Sequence, residues 1–135
     1  MRILLLTLIL LTSGCETLQP TPVSKMTIQE VCENYYVNKK NKSLGKVGMI
    51  FGAYYNPSFS EELYKRNFFT EDELSLIEFE KIQIGMRKEV LPCLFGNPDA
   101  INKTVSSYGT NEQWVYRSVG WYIYVEDGVI TSWQN

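Results

Sequence analysis

The chain has 135 residues, 13 of them basic and 15 acidic, and it contains no histidine. That length suits one domain with a tether and is too short for two independent cores. The near-balanced charge holds no basic block fit to neutralise phosphates, which argues against nucleic acid as a partner. Without histidine the chain lacks the usual general acid–base at neutral pH and the commonest metal ligand, and the His-dependent triads are excluded.

Residues 1–14 read as an export signal rather than as part of a fold. Met1-Arg2 puts one positive charge ahead of the apolar run from Ile3 to Leu11, broken by Thr7 alone, and Thr12-Ser13-Gly14-Cys15 follows at once. The run is about half of the roughly 20 apolar residues that a permanent membrane helix requires. Small residues lead up to Cys15, the thiol expected to carry lipid, and polar Glu16, Thr17 and Gln19 follow it. Removing the signal takes away Arg2 alone among charged residues, leaving a product one unit more negative than the full chain's −2. Residues 15–26 are then the lipidated cysteine and a polar, proline-containing tether.

Residues 27–68 read as a helical or irregular addition. Thr27 can cap a helix with Glu30 as the returning partner, and Ile28, Val31, Cys32 and Tyr35 share one side at helical spacing. This helix is expected to lapse between Asn38 and Ser43, with Lys39-Lys40-Asn41-Lys42 as its solvated end. Val47, Met49, Ile50, Phe51, Tyr54 and Tyr55 are apolar or aromatic, but Gly45, Gly48 and Gly52 break the segment into an irregular strand or a packed loop. Ser58 or Ser60 can open a short helix through Leu63 and Tyr64.

Residues 69–135 read as helix, helix and sheet. Thr70 and Glu73 make a second capping box, with Leu74, Ile77, Ile82 and Ile84 supplying the apolar side until Gly85 interrupts. Another short helix over roughly 88–95 buries Leu91, Leu94 and Phe95 before Gly96-Asn97-Pro98 turns the chain. Pro92 costs least in the first turn, where the N–H groups have no intrahelical partner anyway. Strands are expected near 102–108, 112–118, 121–126 and 129–134, with turns at Gly109-Thr110-Asn111 and Asp127-Gly128. The expected fold class is α+β, short helices packed on a C-terminal antiparallel β-sheet.

Cys32 and Cys93 remain once Cys15 is assigned to lipid. They either pair, stabilising the domain in an oxidising compartment by closing a long loop, or lie as two separately buried thiols. They have no CxxC spacing and make a poor metal site. The strands are rich in aromatics. Period two puts Trp114 with Tyr116, and Trp121 with Ile123 and Val125, while Tyr122 and Tyr124 point the other way. Those outward aromatics either pack within the molecule or meet a partner, and Tyr122 with Tyr124 is the candidate partner surface.

Phe69-Thr70-Glu71-Asp72-Glu73, Ile82-Gln83-Ile84-Gly85-Met86 and Leu94-Phe95-Gly96-Asn97-Pro98 occur in that order. Gly109-Thr110-Asn111-Glu112-Gln113-Trp114-Val115-Tyr116 and Asp127-Gly128-Val129-Ile130-Thr131 follow. This succession, over residues 69–134, resembles the SmpA/OmlA (BamE-like) family of outer-membrane lipoproteins. The resemblance implies two short helices on an antiparallel sheet, a periplasmic domain held at the outer membrane, and a setting in barrel assembly. It makes Gly85-Met86 the joint between the helices, Leu91 an apolar position of the second, and Gly96-Asn97-Pro98 its close. Arg87 departs from the pattern, standing where Ser or Thr would cap the second helix, and Pro92 is unusual within it. Glu16 after Cys15 fits sorting to the outer membrane.

A non-enzymatic component of an envelope protein complex, held to the membrane through Cys15, is the function these readings imply. An inhibitor or exclusion protein acting on a periplasmic target is the alternative. No catalytic, cofactor or metal residues are assigned. Glu71, Asp72 and Glu73 occupy a helix's opening turn, where negative charge is favourable, and Ser106 and Ser107 have no histidine to activate them.

Overall fold

A computed structural model describes residues 20–50 and 55–135. The signal, Cys15 and the start of the tether lie outside the described residues, as do the side chains of Val47, Met49, Ile50, Phe51 and Tyr54. Among the described residues four α-helices precede a four-stranded antiparallel sheet, so the fold is α+β.

Helix α1 (Ile28–Ile50) opens as its sequence dictates: Glu30 N donates to Thr27 Oγ1 at 3.2 Å, and Thr27 N to the Glu30 carboxylate at 2.6 Å. The expected lapse between Asn38 and Ser43 comes slightly later: the helix continues past Ser43 and breaks at Gly45 (φ +52°, ψ −135°), beyond which a second helical stretch reaches Ile50. Asn38 stays helical because its side chain is buried in a tertiary contact. It accepts from Asn56 N at 2.6 Å and donates to the Asn56 carbonyl, so a residue that would end an isolated helix is held inside this one.

Helix α2 (Ser58–Lys65) buries Leu63. Arg66, just beyond it, donates to the carbonyls of Met26 and Val23 at 2.7 and 2.9 Å. Those bonds hold a 3₁₀ turn, Val23–Lys25, against the domain, with Val23 and Met26 packed at the core's margin. The tether expected over 15–26 is therefore docked at its C-terminal end.

Helix α3 (Glu71–Glu78) has the full capping box of Thr70 and Glu73. It stops earlier than the apolar pattern suggests. Glu80 takes the left-handed conformation at φ +54°, and Lys81 N closes on the Leu76 carbonyl at 2.8 Å. Ile82 and Ile84 thus lie beyond the helix, Ile82 against the core and Ile84 exposed. A 3₁₀ turn, Lys88–Val90, leads into α4 (Leu91–Phe95), with Pro92 in its first turn. Gly96 follows at φ +76°, and a Cβ there would sit 2.8 Å from the Tyr36 ring.

Strands β1 (Ala100–Ser106), β2 (Gly109–Tyr116), β3 (Trp121–Glu126) and β4 (Val129–Gln134) form a meander in sequence order. The first two begin before the expected 102 and 112. Gly109-Thr110-Asn111, turn-like in composition, opens β2, and the chain reverses instead at Ser107-Tyr108, where Tyr108 N donates to Ser106 Oγ at 3.2 Å. Asp127-Gly128 makes the β3–β4 hairpin as expected, both residues at positive φ (+47° and +86°) as a type I′ turn needs.

The core lies between the helices and one face of the sheet. Val31, Leu63, Ile77, Leu91, Ile123 and Ile130 are among its fully buried members, so residues 27–68 and 69–135 share one core. A disulfide joins Cys32 of α1 to Cys93 of α4, 61 positions apart. Phe95 packs on Tyr116 and Trp121 at 5.2 and 5.3 Å between ring centres, and Trp121 stacks on Trp133. Among the described residues the Tyr116 hydroxyl has no hydrogen-bond partner, although the residue is fully buried. Tyr116→Phe is accordingly expected to raise stability by up to about 1 kcal/mol, since it removes an unsatisfied buried group and keeps the ring. A denaturant melt showing a loss of stability would reveal a partner for that hydroxyl.

Candidate interaction surface

Register decides which side chains face outward. Trp114 pairs with Ile123 and Tyr116 with Trp121, and Ile123 with Trp133; these residues turn toward the helices. Trp114 and Tyr116 are therefore core residues rather than docking residues. Tyr122 and Tyr124 lie together on the opposite, open face, as period two requires. Tyr122 is 39% exposed. Tyr124 is half-buried, and its hydroxyl belongs to a polar ladder crossing all four strands. Asn102 donates to Gln113 Oε1 at 2.9 Å, Gln113 to the Tyr124 hydroxyl at 3.2 Å, and that hydroxyl to Gln134 Oε1 at 3.3 Å. The ladder fixes the Tyr124 ring and leaves Tyr122 as the more available apolar surface of the pair.

The two sheet edges differ. The β4 edge is occupied over its first residues by the segment between α3 and α4: Gly85 N donates to the Ile130 carbonyl at 2.9 Å, Ile130 N to Met86 at 2.8 Å, and Lys88 N to Gly128 at 2.9 Å. The β1 edge pairs with nothing among the described residues, and every residue of β1 after Ala100 is exposed.

Among the ion pairs of the described residues, two clusters flank the sheet. In one, Glu112 of β2 is buried, accepting from Lys88 Nζ at 2.8 and 3.0 Å and from Trp114 Nε1 at 2.9 Å, with Lys103 Nζ at 3.7 Å. In the other, Arg87 donates to both oxygens of Glu73, at 2.9 and 2.6 Å, and to the Phe68 carbonyl at 2.8 Å. Arg87 occupies the N-cap position of the Lys88–Val90 turn without a side-chain cap bond. Its guanidinium ties that turn to the α3 capping box instead.

The Arg87 guanidinium bonded to Glu73 holds that carboxyl below the usual carboxylate value, against the opposing effect of burial, with Thr70 adding to it. For Glu112 burial is the largest influence and pushes upward, but the bonds from Lys88 and Trp114 and the charges of Lys88 and Lys103 together win and lower it. Carboxyls lowered on folding contribute stability that is complete above the unfolded value, near 4.5, and lost as pH falls through the lower folded values. Unfolding free energy is thus expected to hold level above about pH 5 and to decline below it. Urea melts of Glu73→Gln and Glu112→Gln should each show a shallower acid decline; a decline unchanged in both variants would place the acid sensitivity elsewhere.

Glu71, Asp72 and Glu73 sit in the first turn of α3. Ser106 shapes the β1–β2 turn, its hydroxyl also donating to the Gly109 carbonyl at 3.4 Å. Cys15 lies outside the described residues. The sequence reading missed Glu112: a carboxylate in mid-strand reads as solvent-facing. Its one local sign is the alternation that sets it on the same face as Trp114. Among the described residues no helix is long and apolar enough to cross a membrane. Comparison with family models, with curated proteins and with solved structures finds no match. The likeness to the SmpA/OmlA family therefore rests on the motifs of the sequence.

Proposed function

We propose that the chain is an exported lipoprotein, anchored at the periplasmic face of the outer membrane through lipid on Cys15, that docks on and stabilises an envelope protein complex. The Cys32–Cys93 disulfide carries this reading, because such bridges persist in oxidising compartments and are rare in the cytosol. The signal-like run from Met1 to Cys15 points to the same compartment. More than one acyl chain is needed for durable anchoring, which fits a diacylglyceryl thioether on the Cys15 sulfur. Anchoring raises the local concentration of the domain, and the open sheet face bearing Tyr122 supplies area for docking. Barrel assembly is the specific setting suggested by the SmpA/OmlA resemblance.

Mass spectrometry of the membrane fraction should find a mature N-terminus at Cys15 carrying lipid, and Cys15→Ser should move the chain out of that fraction. A retained residue 1 or a soluble wild-type chain would refute the anchor. Crosslinking in the native host, followed by identification of the captured proteins, tests the docking. Recovery of an envelope assembly component is expected, reduced by Tyr122→Ala in a variant that still folds. Recovery of a secreted enzyme would instead favour the inhibitor reading.

A further inference from the structure

We propose that the free edge of β1 accepts an extended peptide of a partner protein as an added antiparallel strand, with an acidic side chain flanked at alternate positions by two apolar ones. This rests on the reading that the chain docks on proteins, and it names one edge and one partner chemistry.

An unpaired edge offers a row of backbone donors and acceptors, and strand addition draws its affinity from them while side-chain pockets set its specificity. Both parts are present. Val105 is 70% exposed and Tyr108, at the hairpin tip, 97%. Ile101, Lys103 and Val105 share a face of β1, their partners in β2 being Trp114, Glu112 and Thr110. A cavity of about 340 Å³ opens beside this face, with Ile28, Pro92, Ile101 and Trp114 as its apolar walls and Lys103 at its border. An added strand would set its own same-face residues against Ile101, Lys103 and Val105 in turn. The matching pattern is apolar, any, acidic, any, apolar.

The charge argument concerns Lys103. Glu112 is the carboxylate nearest to it, at 3.7 Å, and Glu112 already accepts two bonds from Lys88. Glu89 also borders the cavity, from the 3₁₀ turn rather than from a strand. Within the Glu112 cluster one carboxylate faces two ammonium groups, and the Lys103 side chain remains 54% exposed. An acidic residue opposite Lys103 completes that balance. A second copy of this chain does not. Two-fold antiparallel pairing centred on Ala100–Ser106 would oppose Lys103 to Lys103, and like charges directly opposite are destabilising.

The probe is a blocked peptide of valines alternating with threonines around a central glutamate, titrated into the purified full chain beside the same peptide with a central lysine. The glutamate peptide is expected to bind about three- to five-fold more tightly at low salt, the size of one cross-strand charge pair. The preference should invert in Lys103→Glu and vanish in Lys103→Gln, with new hydrogen-exchange protection along β1. No binding, binding without charge preference, protection away from β1, or a dimer that already protects β1 would each overturn the proposal. Photo-crosslinkers at Val105 and at Tyr122 in the native host separate this inference from the function it rests on. Capture at Val105 of an extended segment carrying the apolar, any, acidic, any, apolar pattern supports the edge, and capture there of a segment without it overturns the proposed partner chemistry. Capture at Tyr122 alone overturns the edge and leaves docking intact, and capture at neither overturns both.

Discussion

Replacing Cys32 and Cys93 together with serine is expected to lower the unfolding free energy by about 4 kcal/mol. The bridge closes a loop of 61 positions, and in the chain-entropy picture a loop of that size restricts the unfolded state by about this amount. Both sulfurs lie in the core, with Cys32 0% and Cys93 2% exposed, so two serine hydroxyls would add a desolvation cost. The bridge is also the covalent tie between α1 and the segment that leads into the sheet. For a domain of this size the loss corresponds to a melting temperature lower by about 15 °C or more. Denaturant melts should place the reduced wild-type chain between the oxidised chain and the double variant, which also buries two hydroxyls. A difference from the oxidised chain below about 1 kcal/mol would mean that helix packing, rather than the bridge, holds α1 in place.

Glu112→Ala should be the most damaging change of a single charged residue, at about 3 kcal/mol. Three groups converge on this carboxylate, and its side chain is only 5% exposed. Truncation would strand the Lys88 ammonium, whose side chain is 29% exposed, and would leave the buried Trp114 N–H without its acceptor. Glu112→Gln keeps an acceptor for Trp114 and should cost about half as much. Lys88→Ala combined with Glu112→Ala should cost less than the sum of the single changes, because each single change leaves a charge unpaired. Urea melts of the four chains measure that coupling. Strict additivity would show that Lys88 and Glu112 act independently.

What could be read from the sequence was local. Thr27 with Glu30, and Thr70 with Glu73, announce helix starts because cap and partner are three residues apart and need nothing else. Asp127-Gly128 announces its hairpin for the same reason. The errors came where a distant residue overrode a local preference. Asn38 reads as a helix end until Asn56 is seen to bond its side chain. Gly109 reads as a turn, yet it opens β2 where a Cβ would lie 2.7 Å from the Asp127 carboxylate, a contact 18 residues away in sequence and next to it in space. For the interaction surface, alternation alone placed Tyr122 and Tyr124 on one face. It could not say that the face is open, that the Tyr124 hydroxyl is held by Gln113 and Gln134, or that Lys103 meets Glu112 across two strands. Those facts depend on register, which the composition of β1 and β2 does not determine.

The unequal edges of the sheet also bear on how far association can propagate. Strand-to-strand growth needs two open edges, one to receive and one to pass on, and chains with both tend toward filaments. Here the segment from Gly85 to Lys88 fills the start of the β4 edge, leaving β1 as the only full-length edge among the described residues. A strand added at β1 finds no equally long site at β4 where the next molecule could repeat the step. Association of this kind therefore stops at one partner per chain. At the high local concentration that a shared membrane anchor would create, such one-sidedness keeps neighbouring copies from stacking into a fibre.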